Sequence, residues 1–135
     1  MFKPVKFDSG KVKSLKMGSA AVATKFGHMK MSGGYLVAGA AGDNEAEYIG
    51  LETKTAVATD GATLCDVLPI DEVVQIYATC ATTPVQATHV GNDYDFSTDL
   101  LLDLTATTDK VFHIDSIVDA TDKIVSGHFN KPALA

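Results

Sequence analysis

The sequence predicts an all-β fold, either a small β-barrel or a β-sandwich, with about seven short strands, one short helix and an extended N-terminal arm. From residue 33 onward, short runs rich in Val, Ile, Thr, Tyr and Leu alternate with turns rich in Gly, Asp, Asn and Pro, a pattern typical of strands. The length of 135 residues fits one domain. The composition changes at Gly33–Gly34, so we expect a Lys-rich arm over residues 1–32 and a single β-rich body over residues 33–135.

The predicted strands of the body are short, and several have one apolar face. Apolar and polar residues alternate in the run 111–117, which places Phe112 and Ile114 on the face expected to be buried. His113 and Asp115 then lie on the opposite, solvent-facing side. The predicted strands are residues 35–40, 48–57, 63–68, 73–79, 100–105, 111–117 and 123–129.

The turns and the helix are marked by their residue types. Gly42 and Gly61 each stand beside an aspartate, as is common at the ends of hairpins. A helix of two turns or fewer is predicted between Thr83 and Gly91. Thr83 is a suitable N-cap, Pro84 is favoured at the first helical position, and Gly91 ends the pattern.

The predicted arm is basic and the body is acidic. Seven lysines and one aspartate give the first 30 residues a charge of +6, whereas four lysines and 16 acidic residues give the remaining 105 residues −12. Such a terminus is typical of a segment that contacts an oppositely charged partner, although its lysines would also serve to keep it soluble. Apolar residues interleaved with lysines around Pro4 favour docking in an extended form, either on the rest of the chain or on a partner. The candidate partner-binding residues are Phe2, Lys3, Val5, Lys6, Phe7, Lys11, Lys13 and Lys16.

Composition also narrows the classes of function. No stretch approaches the roughly 18 apolar residues of a membrane-spanning helix, and the N-terminus has no apolar segment of secretory type. We therefore expect synthesis in the cytoplasm and no membrane partner. All eleven basic residues are lysine, and because Arg is favoured for phosphate and base recognition, its absence disfavours a nucleic-acid partner.

The sequence contains no motif of a catalytic or cofactor site, so we expect neither an enzyme nor a bound cofactor. The run with Asp93, Asp95 and Asp99 is an incomplete candidate for Ca²⁺, because it has oxygen ligands at alternate positions but lacks the glycine and glutamate of a calcium loop. Cys65 and Cys80 are expected to be buried free thiols, or a disulfide if paired strands bring them together.

Several segments of the body resemble the small capsid decoration proteins of tailed bacteriophages, also called cement or head-stabilising proteins. The resemblance covers roughly residues 33–129. It rests on the segment GGYLVAGAAGD, a Tyr-Ile-Gly-Leu segment after an acidic turn, VLPIDEVVQIYATC, TTPVQATHVGNDYDF and the closing run DLLLDLTATTDKVFHIDSIVDATDKIVSGHFN.

The resemblance implies a structural virion protein that binds the outer surface of an assembled phage capsid. Such a protein contacts the major capsid protein, bridges coat subunits and self-associates on the shell, with trimers common in the family. Two alternatives stay open: another virion component, such as a tail or head-completion protein, and a small β-barrel that binds nucleic acid. If the arm docks on the coat, removal of residues 1–16 should leave a folded body that no longer binds.

Overall fold

The computed structural model describes residues 1–130, apart from the side chains of Glu72 and Val74, and confirms the all-β class. The last five residues of the predicted body, 131–135, lie outside the described residues. The described chain forms thirteen strands, one α-helix and two 3₁₀ helices, Ser9–Lys11 and Ile70–Glu72. The strands and the α-helix are β1 (Phe2–Phe7), β2 (Lys13–Lys16), β3 (Val22–Ala23), β4 (His28–Ser32), β5 (Tyr35–Ala38), β6 (Tyr48–Gly50), β7 (Lys54–Thr55), β8 (Leu64–Pro69), β9 (Val73–Thr79), α1 (Gln86–His89), β10 (Asp93–Phe96), β11 (Leu102–Asp103), β12 (Phe112–Asp119) and β13 (Ile124–Phe129).

These strands form two antiparallel sheets and a short ribbon. The larger sheet has six strands in the order β1-β9-β13-β12-β10-β11, the smaller has five in the order β2-β8-β6-β4-β5, and β3 pairs with β7 in the ribbon. The smaller sheet curls, because Met17, directly after β2, bridges to Leu36 of β5. The Gly18 N–H also donates to the Leu36 carbonyl at 3.0 Å, so the two edges of this sheet meet.

The buried apolar side chains form two clusters, a larger one mainly from the six-stranded sheet that also includes Ile49 of β6, and a smaller one on the five-stranded sheet and the ribbon. In the larger cluster, the Phe2 ring packs edge-on against Phe96 with 5.5 Å between ring centroids, and it lies 5.4 Å from Phe129. Full burial of a phenylalanine contributes about 1.5–3 kcal/mol, so this side chain holds β1 against the core. The smaller cluster comprises Met17, Ala23, Met29, Leu36, Ala56, Cys65 and Val67.

The first 32 residues are part of these sheets, so the prediction of a separate N-terminal arm is wrong. β1 pairs with β9, β2 with β8, and β4 with β5 and β6. The boundary predicted at Gly33–Gly34 is a two-residue hairpin turn between β4 and β5, in which both glycines have positive φ, +58° and +87°. Removal of residues 1–16 would delete Phe2 from the core and an edge strand from each sheet, so it would not leave an intact body.

The strands predicted from alternation are present, but several have different lengths. The predicted strand 73–79 coincides with β9, and the predicted strand 63–68 is β8 shifted by one residue. The predicted strand 48–57 is divided into β6 and β7, and only two residues of the predicted strand 100–105 pair, as β11. The strands missed in the body and in the supposed arm are β1 to β4 and β10.

The helix predicted after Thr83 begins later than expected. Val85 occupies the N-cap position without a side-chain cap, and its N–H donates to Nδ1 of His89 at 2.7 Å. The prediction of Thr83 as the N-cap is therefore wrong, because the helix supplies its own cap from its last residue. Gly91 follows at φ +84°, a conformation that ends a helix, as expected.

Substitution of Phe2 by Ala tests whether β1 belongs to the fold. We expect Phe2→Ala to lower the free energy of unfolding by about 3–5 kcal/mol, because it leaves a cavity in the larger core cluster. The half-exposed Phe7 on the same strand is the matched control, and Phe7→Ala should change stability by about 1 kcal/mol or less. Urea unfolding followed by circular dichroism measures both variants. Equal, small effects would restore the interpretation of a detached arm.

Candidate functional site

The lysines of the predicted docking segment lie along two edges of the fold that a short connection joins. β1 is an edge strand of the six-stranded sheet, and β2 is an edge strand of the five-stranded sheet. A 3₁₀ helix lies between them in the chain. We call residues 3–16 the basic edge. Its lysines, all exposed, are Lys3, Lys6, Lys11, Lys13 and Lys16.

Lysines outnumber acidic residues within the basic edge. Its five lysines are accompanied by one acidic residue, Asp8, whose carboxylate accepts a backbone N–H at the start of the 3₁₀ helix. Two other lysines form ion pairs, Lys30 with Asp43 and Lys54 with Glu52. Five lysines and one aspartate leave the basic edge with a charge of +4 that faces solvent.

Apolar side chains are exposed among these lysines. Val5 is 38% exposed, Phe7 43% and Val12 39%. Val12, which stands between two lysines, was not among the predicted contact residues. Phe2 was predicted to anchor a partner, but it is fully buried in the core, so that prediction is wrong. The exposed apolar side chains of the basic edge that could contact a partner are therefore Val5, Phe7 and Val12.

β1 is an open sheet edge with features that oppose the addition of another strand. Pro4 has no N–H to donate, and the register with β9 shifts twice between Pro4 and Phe7. Exposed lysines such as Lys3 and Lys6 discourage pairing between edges. A partner is therefore expected to contact the side chains of the basic edge and not to extend the sheet.

Acidic side chains are concentrated at the opposite end of the six-stranded sheet. β12, β10 and β11 lie at the far end of this sheet from β1. Residues 93–122, which contain these strands, include eight aspartates and one lysine. The molecule is therefore electrostatically polar, and its field would turn the basic edge toward an acidic surface.

The solvent-facing side of the same sheet carries a cluster that the sequence analysis did not reveal. Strand pairing places Asp93, His113 and His128 in one row across β10, β12 and β13. His113 Nδ1 lies 2.8 Å from Asp93 Oδ1, and His128 Nδ1 lies 3.4 Å from Asp115 Oδ2. The two imidazole rings stack with 5.1 Å between centroids. We call these four residues the His–Asp cluster.

Hydrogen bonds at Asp93 determine the electrostatics of the His–Asp cluster. Asn130 Nδ2 donates to Asp93 Oδ1 and to the Lys110 carbonyl, both at 2.9 Å. Burial acts to raise the pKa of Asp93, but hydrogen bonds from Asn130 and His113 outweigh it, and the pKa lies below its ordinary value. Within residues 1–130, neither histidine of the cluster shares a hydrogen bond with a serine, threonine or cysteine, as a nucleophile and its base would. The cluster links side chains of three neighbouring strands, β10, β12 and β13.

The three aspartates of the calcium candidate have separate roles in the structure. Asp95 is buried, and its carboxylate accepts the backbone N–H groups of residues 108–110 at 2.8–3.1 Å. Asp93 belongs to the His–Asp cluster, whereas the main-chain carbonyl of Asp99 accepts the N–H of His28. In the part of the chain that the structure describes, no group of three or more His, Cys, Asp or Glu side chains is placed to hold a metal ion. The calcium candidate therefore has no shared site in this fold.

Both cysteines are buried and free, and the expectation of free thiols is confirmed. Cys80 belongs to the larger core cluster and Cys65 to the smaller one. Burial raises the pKa of each thiol to about 11, so both are protonated and unreactive at neutral pH.

Comparisons with known proteins do not identify a family for this chain. No protein-family model, curated protein or solved structure matches the chain. Among residues 1–130, no helix is long and apolar enough to cross a membrane. The resemblance to capsid decoration proteins stays a prediction, and the basic edge is the candidate functional site because of its own charge and exposure.

The role of Asp95 can be tested by removing its charge. Asp95→Asn replaces one acceptor oxygen by an NH₂ group that faces backbone donors, so we expect a loss of about 1–3 kcal/mol in the free energy of unfolding. Asp122→Asn is the matched control, since this aspartate is exposed, and it should change stability by about 0.5 kcal/mol or less. Urea midpoints at neutral pH compare the two. A stable Asp95→Asn protein would show that the loop 108–110 does not need this carboxylate.

Proposed function

We propose that this protein is a structural component of a tailed-phage virion, which binds the outer surface of the assembled capsid and stabilises it by bridging coat subunits. The observation that carries the proposal is the basic edge, where lysines outside the described ion pairs surround exposed apolar side chains. The resemblance of residues 33–129 to decoration proteins supports the same function.

The chemistry of the basic edge suits an acidic surface of the major capsid protein. Apolar anchors such as Phe7 supply contact area on a partner, while the surrounding lysines mainly set orientation and the rate of association. Their contribution is screened by salt, because these side chains are exposed. Binding should therefore have a salt-sensitive part from the lysines and a salt-insensitive part from Val5, Phe7 and Val12.

Stabilisation of the shell follows from mass action. A ligand that binds the assembled capsid and not its dissociated subunits shifts the equilibrium toward the capsid. A small interface is sufficient when many copies each bridge neighbouring subunits, since the contacts then act together. Location on the capsid surface, synthesis in the host cytoplasm and self-association of neighbouring copies, in trimers or otherwise, belong to the same proposal.

One observation favours a second candidate function, the binding of nucleic acid. A local charge of +4 attracts phosphate groups as well as carboxylates. The absence of Arg and the overall charge of −6 oppose this function.

Another virion component, such as a tail or head-completion protein, differs from a decoration protein in copy number, with a dozen or fewer copies against hundreds.

Co-sedimentation with capsids tests the proposal. Wild-type protein is mixed with expanded and with immature shells of the phage that encodes it, and bound copies are counted at two salt concentrations. We expect saturable binding of hundreds of copies to expanded shells. The double variant Lys6→Gln/Lys13→Gln should bind roughly fivefold more weakly at low salt, at about 0.5 kcal/mol for each exposed charge contact.

The control variant Lys110→Gln/Lys123→Gln removes the same charge outside the basic edge and should bind like the wild type. Equal weakening in both variants would show that net charge, and not the basic edge, governs binding. Absence of wild-type binding to either shell would overturn the proposal. Tight binding to duplex DNA that declines steeply with salt would support the nucleic-acid function instead.

A further inference from the structure

His28 is a buried titratable side chain at the junction of the two sheets. It begins β4 of the five-stranded sheet, but its ring stacks on Phe96 of the six-stranded sheet with 3.5 Å between centroids. The Phe2 ring of β1 meets it edge-on at 5.9 Å. On a third side lies Gly39, where an added Cβ would come within 2.0 Å of the imidazole. The ring is therefore enclosed by elements of both sheets.

Among the described residues, neither ring nitrogen of His28 has a partner with good hydrogen-bond geometry, although the nearby Thr98 backbone favours a proton on the ring, and the residue is 0% exposed. An unpaired buried polar group costs about 1–3 kcal/mol, so native proteins contain few of them and each calls for an explanation. A charged imidazolium would be far more costly in the same place, because its charge would be desolvated and its N–H donors would lack well-placed partners. The closed structure therefore favours the neutral ring.

The charged groups around His28 do not compensate a proton on the ring. Lys30 and Asp43 form an ion pair with each other, so their effects on the ring oppose one another. Burial lowers the pKa of His28 to about 4, although Asp43 acts in the opposite direction. The charged groups on the elements packed around the ring are Lys3 and Lys6 on β1, Lys30 on β4, Asp43 after β5, Glu47 before β6, Asp93 and Asp95 on β10, Asp99 after β10 and the amino group of Met1.

Among the strands that enclose His28, β1 has a paired neighbour on one side only. It is an edge strand that pairs with β9, and the register of that pairing shifts twice. Pro4 also contributes no N–H to the ladder. β4 and β10, by contrast, each have a paired strand on both sides. Detachment of β1 would withdraw Phe2 from the imidazole and let water reach the ring.

We propose that β1 is an acid-released strap: detachment of β1 allows His28 to bind a proton, so acidification opens this edge before the rest of the fold. The linkage has a definite direction. The opened state binds the proton near pH 6.5 and the closed state only near pH 4, so the closed state loses stability as pH falls between these values. The inference goes beyond capsid binding and does not depend on it. If the basic edge docks as proposed, acid would also disorder its Val5 and Phe7 contacts.

Native-state hydrogen exchange of the full chain at pH 6.0 and pH 4.5, read by mass spectrometry and corrected for intrinsic exchange rates, tests the inference. Two pKa values near 6.5 and 4 predict that β1 amides lose roughly twentyfold in protection between these conditions. Amides of β12 and β13 should be better protected than those of β1 at both pH values, because β1 opens without global unfolding. Burial also lowers the pKa of the Met1 amino group to about 6, but with an ordinary value of 8.0 this contributes only about twofold in the same interval.

His28→Gln should reduce the loss of β1 protection to about twofold, since it removes the buried proton acceptor. His128→Gln is the matched control, because it removes a histidine that is 45% exposed, and it should respond like the wild type. Wild-type β1 protection that stays constant, or that equals the protection of β12 and β13 at both pH values, overturns the inference even if His28→Gln does not fold. An unchanged loss in a folded His28→Gln protein overturns it as well. The readout involves no capsid, so it fails or succeeds separately from capsid binding.

Discussion

The burial of Phe2 is the constraint on which the rest of this structure depends. Its ring sits among the aromatic side chains of the larger core cluster, and its N–H donates to the Phe26 carbonyl at 2.6 Å. Because the second residue is fixed in the core, β1 must run along the edge of the six-stranded sheet. The lysines that follow are thereby held on the surface of a folded sheet. Phe2 also forms one wall around His28, so the same contact joins the basic edge to the interior.

Strands with one apolar face could be predicted from the sequence. The prediction fails for strands that lack such a face. In β9 the buried Ile76 and Ala78 alternate with half-buried neighbours, and the bounds of β9 and β13 were predicted to within a residue. β1 and β2 contain lysines at most exposed positions and have neighbours on one side, so their composition suggests an extended arm. Gly33–Gly34 was interpreted as a boundary because composition changes there, although two consecutive glycines equally fit a tight hairpin turn.

The candidate site was predictable in its charges but not in its geometry. Exposure of the lysines follows from their chemistry, and the sequence identified them. The His–Asp cluster depends on strand register, since residues 113 and 128 are adjacent only when β12 pairs with β13. The environment of His28 depends on contacts between the two sheets. The sequence shows only a lone histidine at the start of a strand that was not predicted, and this does not indicate those contacts. Pairing and packing are therefore what the sequence analysis lacked.

The division of the interior into two core clusters has a practical consequence. Each cluster contains one of the two cysteines, and both thiols are shielded from solvent in the folded chain. The rate at which a thiol reagent modifies Cys80 therefore reports transient opening of the six-stranded side, and modification of Cys65 reports opening of the curled side. The two native cysteines thus serve as internal kinetic probes. Their modification rates can show whether the regions around the two core clusters open together or independently, without any added label site.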